Sequence, residues 1–207
     1  MEEDEPTVTR HRDREYRFGR ILAISDGVFA FSLTLLVVDL VIPESSSNSA
    51  LTARLLAQWP ELFSYLLSFA VVAMTWNSHH ETFRYIRRTD GWLIVLNFAV
   101  LLLVAFLPFP TAVLGRNQGE PAAAVIYAVT LTLINLANAA IWWYATRRHR
   151  LVDRDLDRHV VKKRFSRLAI GTVVFLVSIP VALWQPYVAE FMWLPLFGLV
   201  LFIRTDT

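Results

Sequence analysis

The chain has 207 residues, 55% of them hydrophobic and only 18% charged, with a formal net charge of +2. A soluble domain spreads its charges along amphipathic helices, whereas here they stand in short blocks between long apolar runs, which fits lipid as the solvent. Cysteine is absent, which excludes disulfides and thiolate metal sites, and the basic pI of about 9.1 reports membrane topology rather than nucleic-acid binding.

The first 20 residues are highly charged and lack the apolar stretch of a cleavable signal, so residues 1–20 read as a cytoplasmic segment. Six apolar segments follow, an all-α integral membrane protein of six spans: 21–42, closed by Pro43; about 55–80; 92–114; 122–146; about 168–184; and 187–203. Each approaches the roughly 20 residues a helix needs to cross a bilayer. Together they form one six-helix transmembrane domain over residues 21–204, with a loop at 147–167 and a short tail at 205–207.

All but two of the 20 Lys and Arg residues fall on one side of this plan, Arg54 and Arg116 being the exceptions. That bias places both termini, the loop 81–90 and the loop 147–167 in the cytoplasm of a multi-pass cell-membrane protein. The alternating signs of Asp153, Arg154, Asp155, Asp157 and Arg158 suit solvated helical extensions, with a lipid-headgroup reading second. Asn135 and Asn138, at i and i+3, are expected to bond across helices.

The first span carries the unusual chemistry: Ser25, Asp26, Gly27, Ser32, Thr34 and Asp39. A carboxylate within a span is costly and marks function or a partner. The second span returns to the same depth at Asn77, Ser78, His79 and His80, so Arg20, Ser25, Asp26, His79 and His80 are expected to form a structural clamp between the two helices. A proton relay is the competing reading, and no ligand spacing favours a metal. At 100° per residue, Ile24, Gly27, Phe31, Leu35, Val38 and Ile42 form one stripe with Thr34 on its flank, and Asp26, Phe29, Leu33 and Val37 form another. The first stripe is free to face lipid, a helix or a pore.

The segment from Arg20 through Ile24-Ser25-Asp26-Gly27 and Thr34-Leu35-Leu36 to Leu40 resembles the first helix of the transmembrane protein 175 family, and Trp76-Asn77-Ser78-His79-His80 with Phe83 resembles its second-helix end. Ile24 stands where the family has Phe, and Phe31 where Ile or Leu is usual. The resemblance implies a potassium-preferring cation channel with no cofactor. A single motif copy implies a homotetramer whose first helices line a central pore in the lipid membrane, with no nucleic acid or metal involved. It implies a constriction at Phe31, Leu35 and Val38 and a polar, selectivity-bearing ring at Thr34. Asp39 would then lie at the outer mouth, where four copies concentrate cations or each bonds a neighbouring helix. The alternatives are a proton-coupled secondary transporter using Asp26 and His79 or His80, and a membrane enzyme built on His79, His80, Glu81 and Asp26.

Overall fold

The computed structural model describes residues 5–38, 40 and 48–203; side chains are described from residue 16, with gaps, to Pro195. Eight α-helices follow in order: α1 Glu5–Val38, α2 Asn48–Ala57, α3 Trp59–Tyr85, α4 Gly91–Phe106, α5 Pro108–Arg116, α6 Pro121–Thr146, α7 Arg158–Trp184 and α8 Pro186–Ile203. By length and composition, four stretches among the described residues can cross a membrane: Phe18–Val38, Gly91–Arg116, Pro121–His149 and Arg158–Trp184. The α2–α3 pair, bent by 49°, makes a fifth when taken as one broken span. The sixth expected segment coincides with α8.

Helix starts are set by local chemistry. Pro121 opens α6 and Pro108 opens α5, where the missing proline N–H has no partner to lose. Asp90 caps α4 by accepting the Leu93 amide at 2.9 Å, and Asp157 caps α7 by accepting that of His159 at 2.8 Å, each satisfying an orphan donor.

Pro108 also divides what the sequence reads as one helix over 92–114. It cannot donate to the carbonyl four residues back, Val104. That carbonyl instead accepts the Leu107 amide at 3.2 Å and the Ser32 hydroxyl of α1 at 3.1 Å. The proline break is thus a socket for the first helix.

Helix α6 is central, packed on α4, α5, α7 and α8, and its Tyr127, Leu131, Ile134 and Trp142 are fully buried. The closest pairing is α6 with α7, where Gly171 admits Asn135: a Cβ at that glycine would stand 2.9 Å from Asn135 Oδ1. Asn135 and Asn138 do not bond across helices. Each donates to its own helix, to the carbonyls of Leu131 at 2.9 Å and Ile134 at 3.0 Å, because the close-packed interface leaves backbone carbonyls as the nearest acceptors. Helix α8 folds back on α7, with Trp193 Nε1 donating to Ser178 Oγ at 3.0 Å.

The loop 147–167 is only partly the solvated helical extension expected. Residues 158–167 are helical, as the first turns of α7, but 147–157 form a strap tied to the α3–α4 turn. Arg148 and His149 take left-handed backbone (φ 55° and 53°), letting the Leu151 amide close on Ala145 O at 3.0 Å. Leu151 O then accepts the amides of Arg87 and Arg88, Val152 pairs with Ile86, and Arg87 meets Asp153 at 3.1 Å.

Candidate functional site

Helix α1 presents two faces. Ser25, Phe29, Ser32 and Leu36 repeat at i, i+4, i+7 and i+11 and are buried against the bundle, the period of a packed helix face. The opposite face, Ile24, Gly27, Phe31, Thr34 and Val38, is uncovered within the subunit; Phe31 is 63% and Val38 69% exposed. Leu35 is half-buried at the edge of that stripe. The second expected stripe does not hold together: Asp26 and Val37 are exposed while Phe29 is buried, since packing follows the line through the two serines. Thr34 Oγ donates to the Phe31 carbonyl at 2.7 Å, which leaves the hydroxyl oxygen's lone pairs facing outward. Asp39 lies outside the described residues.

The expected clamp residues do join α1 to the bundle, but not to one another. Asp26 accepts from Trp76 Nε1 at 2.8 Å. His79, buried, meets Asn97 Oδ1 at 2.7 Å; an amide oxygen only accepts, so Nε2 carries the hydrogen. Asn97 Nδ2 donates to Ser25 Oγ at 3.0 Å, and Ser25 passes its own hydrogen to Ile21 O at 2.9 Å. The His79 ring is stacked on Phe83 at 4.5 Å. His80, one position on, points the other way, is exposed, and stacks on Trp76 at 5.6 Å. Arg20 makes no ion pair with Asp26 and lies over the Tyr16 ring at 5.8 Å. The three-charge network therefore gives way to two separate attachments. The helix turn sends adjacent residues to different sides, so Ser25 and His79 face inward and Asp26 and His80 outward. Asp26, His79 and His80 share no hydrogen bond among the described residues. Asn97, on α4, was missed by sequence reading because a single amide in a long apolar run carries no spacing signal.

A second missed feature is Arg164 of α7, 9% exposed. Its guanidinium donates to Glu81 Oε2 at 2.9 Å, to Thr82 Oγ1 at 2.9 and 3.1 Å, and to the Ser78 carbonyl. It also lies over the Trp142 ring at 5.4 Å. It thereby fixes the end of α3 that carries Trp76 and His79. Beside it, Asp90 accepts from the Tyr144 hydroxyl at 2.6 Å and from Arg150 Nε at 3.2 Å. Burial of Asp90 opposes its charge, but the Tyr144 hydroxyl, the Leu93 amide and Arg150 together hold its carboxyl below the usual value.

Toward the other end of α1, Leu36 and Leu40 line a cavity of about 10 Å³ with Glu61 and Tyr65 of α3 and Thr111 and Gly115 of α5. Gly115 is required there, since a Cβ would stand 3.1 Å from the Glu61 Cα.

The sequence pattern of the family described as endosomal/lysosomal potassium channel TMEM175 matches residues 20–108, which span the stripe, the paired attachments and the proline socket. A potassium channel of Streptomyces collinus is 36% identical over 168 residues, covering 79% of this chain and 82% of the relative. The human endosomal/lysosomal proton channel TMEM175 is 25% identical over 158 residues, and this chain spans 31% of it. The crystal structure of a lysosomal potassium-selective channel TMEM175 homolog from Chamaesiphon minutus superposes with a TM-score of 0.80 at 29% identity, covering 93% of this chain and all of that one. A first helix held through serines and an amide, with its other face left bare, thus occurs in a multi-pass chain whose relatives are ion channels rather than enzymes, and the chain belongs to the TMEM175 channel family.

Proposed function

We propose that the chain forms a homotetrameric, potassium-preferring cation channel in the cell membrane, with six spans per subunit, α1 lining the central pore and both termini cytoplasmic. One observation carries this reading: the face of α1 opposite its packed serines is apolar and bare in the subunit over the stretch from Ile24 to Val38, about 21 Å of helix. Four such stripes around an axis enclose a pore. The choice of potassium rests on the relatives named potassium channels.

The mechanism follows from the stripe. Rings of Phe31, Leu35 and Val38 close by excluding water. Phe31 is the largest of the three side chains, and Leu35 sits at the stripe's edge. The Thr34 oxygen, its hydrogen occupied by the Phe31 carbonyl, offers lone pairs to a partly dehydrated cation. Asp39, if it rims the outer mouth, raises the local cation concentration. Potassium is the permeant ion and no cofactor is needed. Against the alternative of a proton-coupled transporter stands the separation of Asp26 and His79, which bond different partners.

Potassium and sodium flux into liposomes holding purified protein tests the reading. Phe31→Ala and Phe31→Asn are expected to raise basal flux, the second at least as much, and Thr34→Val to reduce the potassium preference. A rise for Leu35→Ala with none for Phe31→Ala moves the gate one turn. Unchanged flux for every stripe position rejects α1 as the pore lining.

A further inference from the structure

A chain of hydroxyls crosses each subunit behind the pore helix. The Tyr127 hydroxyl of α6, fully buried, lies 2.9 Å from Ser68 Oγ of α3, and either atom can donate. Thr111 Oγ1 of α5 lies 2.8 Å from Ser68 Oγ and 2.9 Å from the Leu107 carbonyl. Its one hydrogen serves one of them at a time, so the chain has two hydrogen-bond directions.

Each end of the chain meets a carboxylate. Beyond Thr111 is the cavity against Leu36 of α1 and Leu40 just past its end, also lined by Glu61, whose Oε2 is buried without a hydrogen-bond partner among the described residues. At the Tyr127 end is Glu190 of α8. It is 4% exposed and its Oε1 is likewise unpartnered among the described residues. Trp193, one turn further along the same face, has its ring 5.0 Å from that of Tyr127, which brings this face of α8 against the phenol. One turn the other way, half-exposed Tyr187 sits against the α5–α6 turn at Gly119 and leads to the water at that end. The titratable groups facing Glu190 are Tyr127 from α6 and Tyr187 from α8; α7 offers Phe175, Ser178 and Ala182 and no ionisable side chain over 172–184. Glu61, Arg116 and Glu120 are the charged groups further out at the same end.

An unpaired carboxylate in such surroundings is expensive unless it is neutralised or paired. We propose that Glu190 is a proton-binding site inside each subunit, and that its occupancy is relayed along Tyr127, Ser68 and Thr111 to the pore helix. With a proton on Glu190, the carboxyl donates to the Tyr127 hydroxyl, directly or through one water; Tyr127 donates to Ser68, Ser68 to Thr111, and Thr111 to Leu107 O. Without it the order reverses: Thr111 donates to Ser68, Ser68 to Tyr127, and Tyr127 to the carboxylate. No bond other than O–H is made or broken, and the proton comes from and returns to water. The reversal changes which polar atom faces the cavity where Leu36 and Leu40 rest.

The relay to the pore rests on the channel reading above; the proton site does not. Two measurements on the whole protein keep them apart. Infrared difference spectra between neutral and acid pH are expected to show a protonated-carboxyl carbonyl band. That band disappears in Glu190→Gln, shifts in Glu190→Asp and survives in Glu61→Gln. Potassium flux into liposomes is expected to change at least about 5-fold, the lower end of ordinary coupling between sites, as the pH on the Tyr187 side is lowered. Glu190→Gln holds it at the acid-side value at all pH, and Tyr127→Phe removes the dependence while keeping the band. A band untouched by Glu190→Gln overturns the site. An intact band with pH-independent flux overturns the relay. An intact band with no potassium flux under any condition counts against the channel reading and leaves the site standing.

Discussion

Ser25 and Asp26 are neighbours in sequence, yet their side chains leave α1 in different directions, the hydroxyl to Asn97 and the carboxylate to Trp76. The energetic weights differ accordingly. Asn97 serves two buried partners at once, so Asn97→Leu leaves both the Ser25 hydroxyl and the His79 N–H without it, and each unsatisfied buried group costs about 1–3 kcal/mol. Asp26→Asn keeps an oxygen for the Trp76 indole at an exposed position and is expected to cost about 1 kcal/mol or less. Thermal unfolding of the detergent-solubilised protein checks the order; equal shifts would mean that Asn97 does not join these groups. That Ser25, Asp26 and His79 would find partners was legible in sequence, because polar groups in an apolar span need them. Their pairing was not, because it depends on which way each side chain leaves its helix and on an amide 72 residues from Ser25.

At the scale of elements, the apolar runs marked out α3, α6 and α8 to within a few residues, whereas α1 starts at Glu5, well before its apolar part. The misses have local causes. Pro108 splits the third run, since removing one N–H ends a helix without altering its hydropathy. Helix α7 begins ten residues before its apolar part, because helix formation over 158–167 is driven by a cap and by packing rather than by apolarity. Arg164 was counted among solvated basic residues; only the fold shows it wedged between Glu81, Thr82 and Trp142. It ties α7 to α3, with its guanidinium buried and its partner Glu81 partly exposed, so its removal leaves the Thr82 hydroxyl and the Ser78 carbonyl without their donor at about 1–3 kcal/mol each. Arg164→Ala is therefore expected to lower the unfolding temperature and loosen proteolytic resistance in the 147–167 strap. Arg164→Lys should recover only part of this, because an ammonium cannot reproduce the planar fork. Full recovery by lysine would show that charge alone suffices.

For the whole molecule, the fold adds an argument about sidedness that does not depend on counting charges. The α3–α4 turn and the strap are bonded together, so they share one side of the membrane. Gly119 of the α5–α6 turn meets Tyr187 beside the α7–α8 turn, so these share the other. On the proposed orientation, which rests on the basic bias, the first side is the cytoplasm. The chain has no native cysteine, so single introduced thiols report cleanly. Gln118→Cys is expected to react with an impermeant reagent from outside and Asp155→Cys only after permeabilisation. Labelling of both from the same side would sink the arrangement.

The fastening of α1 has one further consequence. Apart from the Asp26 carboxylate held by Trp76, it is made of hydroxyls, an amide, an imidazole N–H and a backbone carbonyl, and from Gly27 to Val38 the helix carries no charged residue. A membrane potential does work only on charge that moves through it, about 2.3 kcal/mol per elementary charge per 100 mV. With Asp26 near one end of the span and nothing ionised along the stripe, this helix offers an electric field almost no handle. Its tilting or twisting is to that extent electrically silent, and a current through it would depend on voltage mainly through the driving force on the ion.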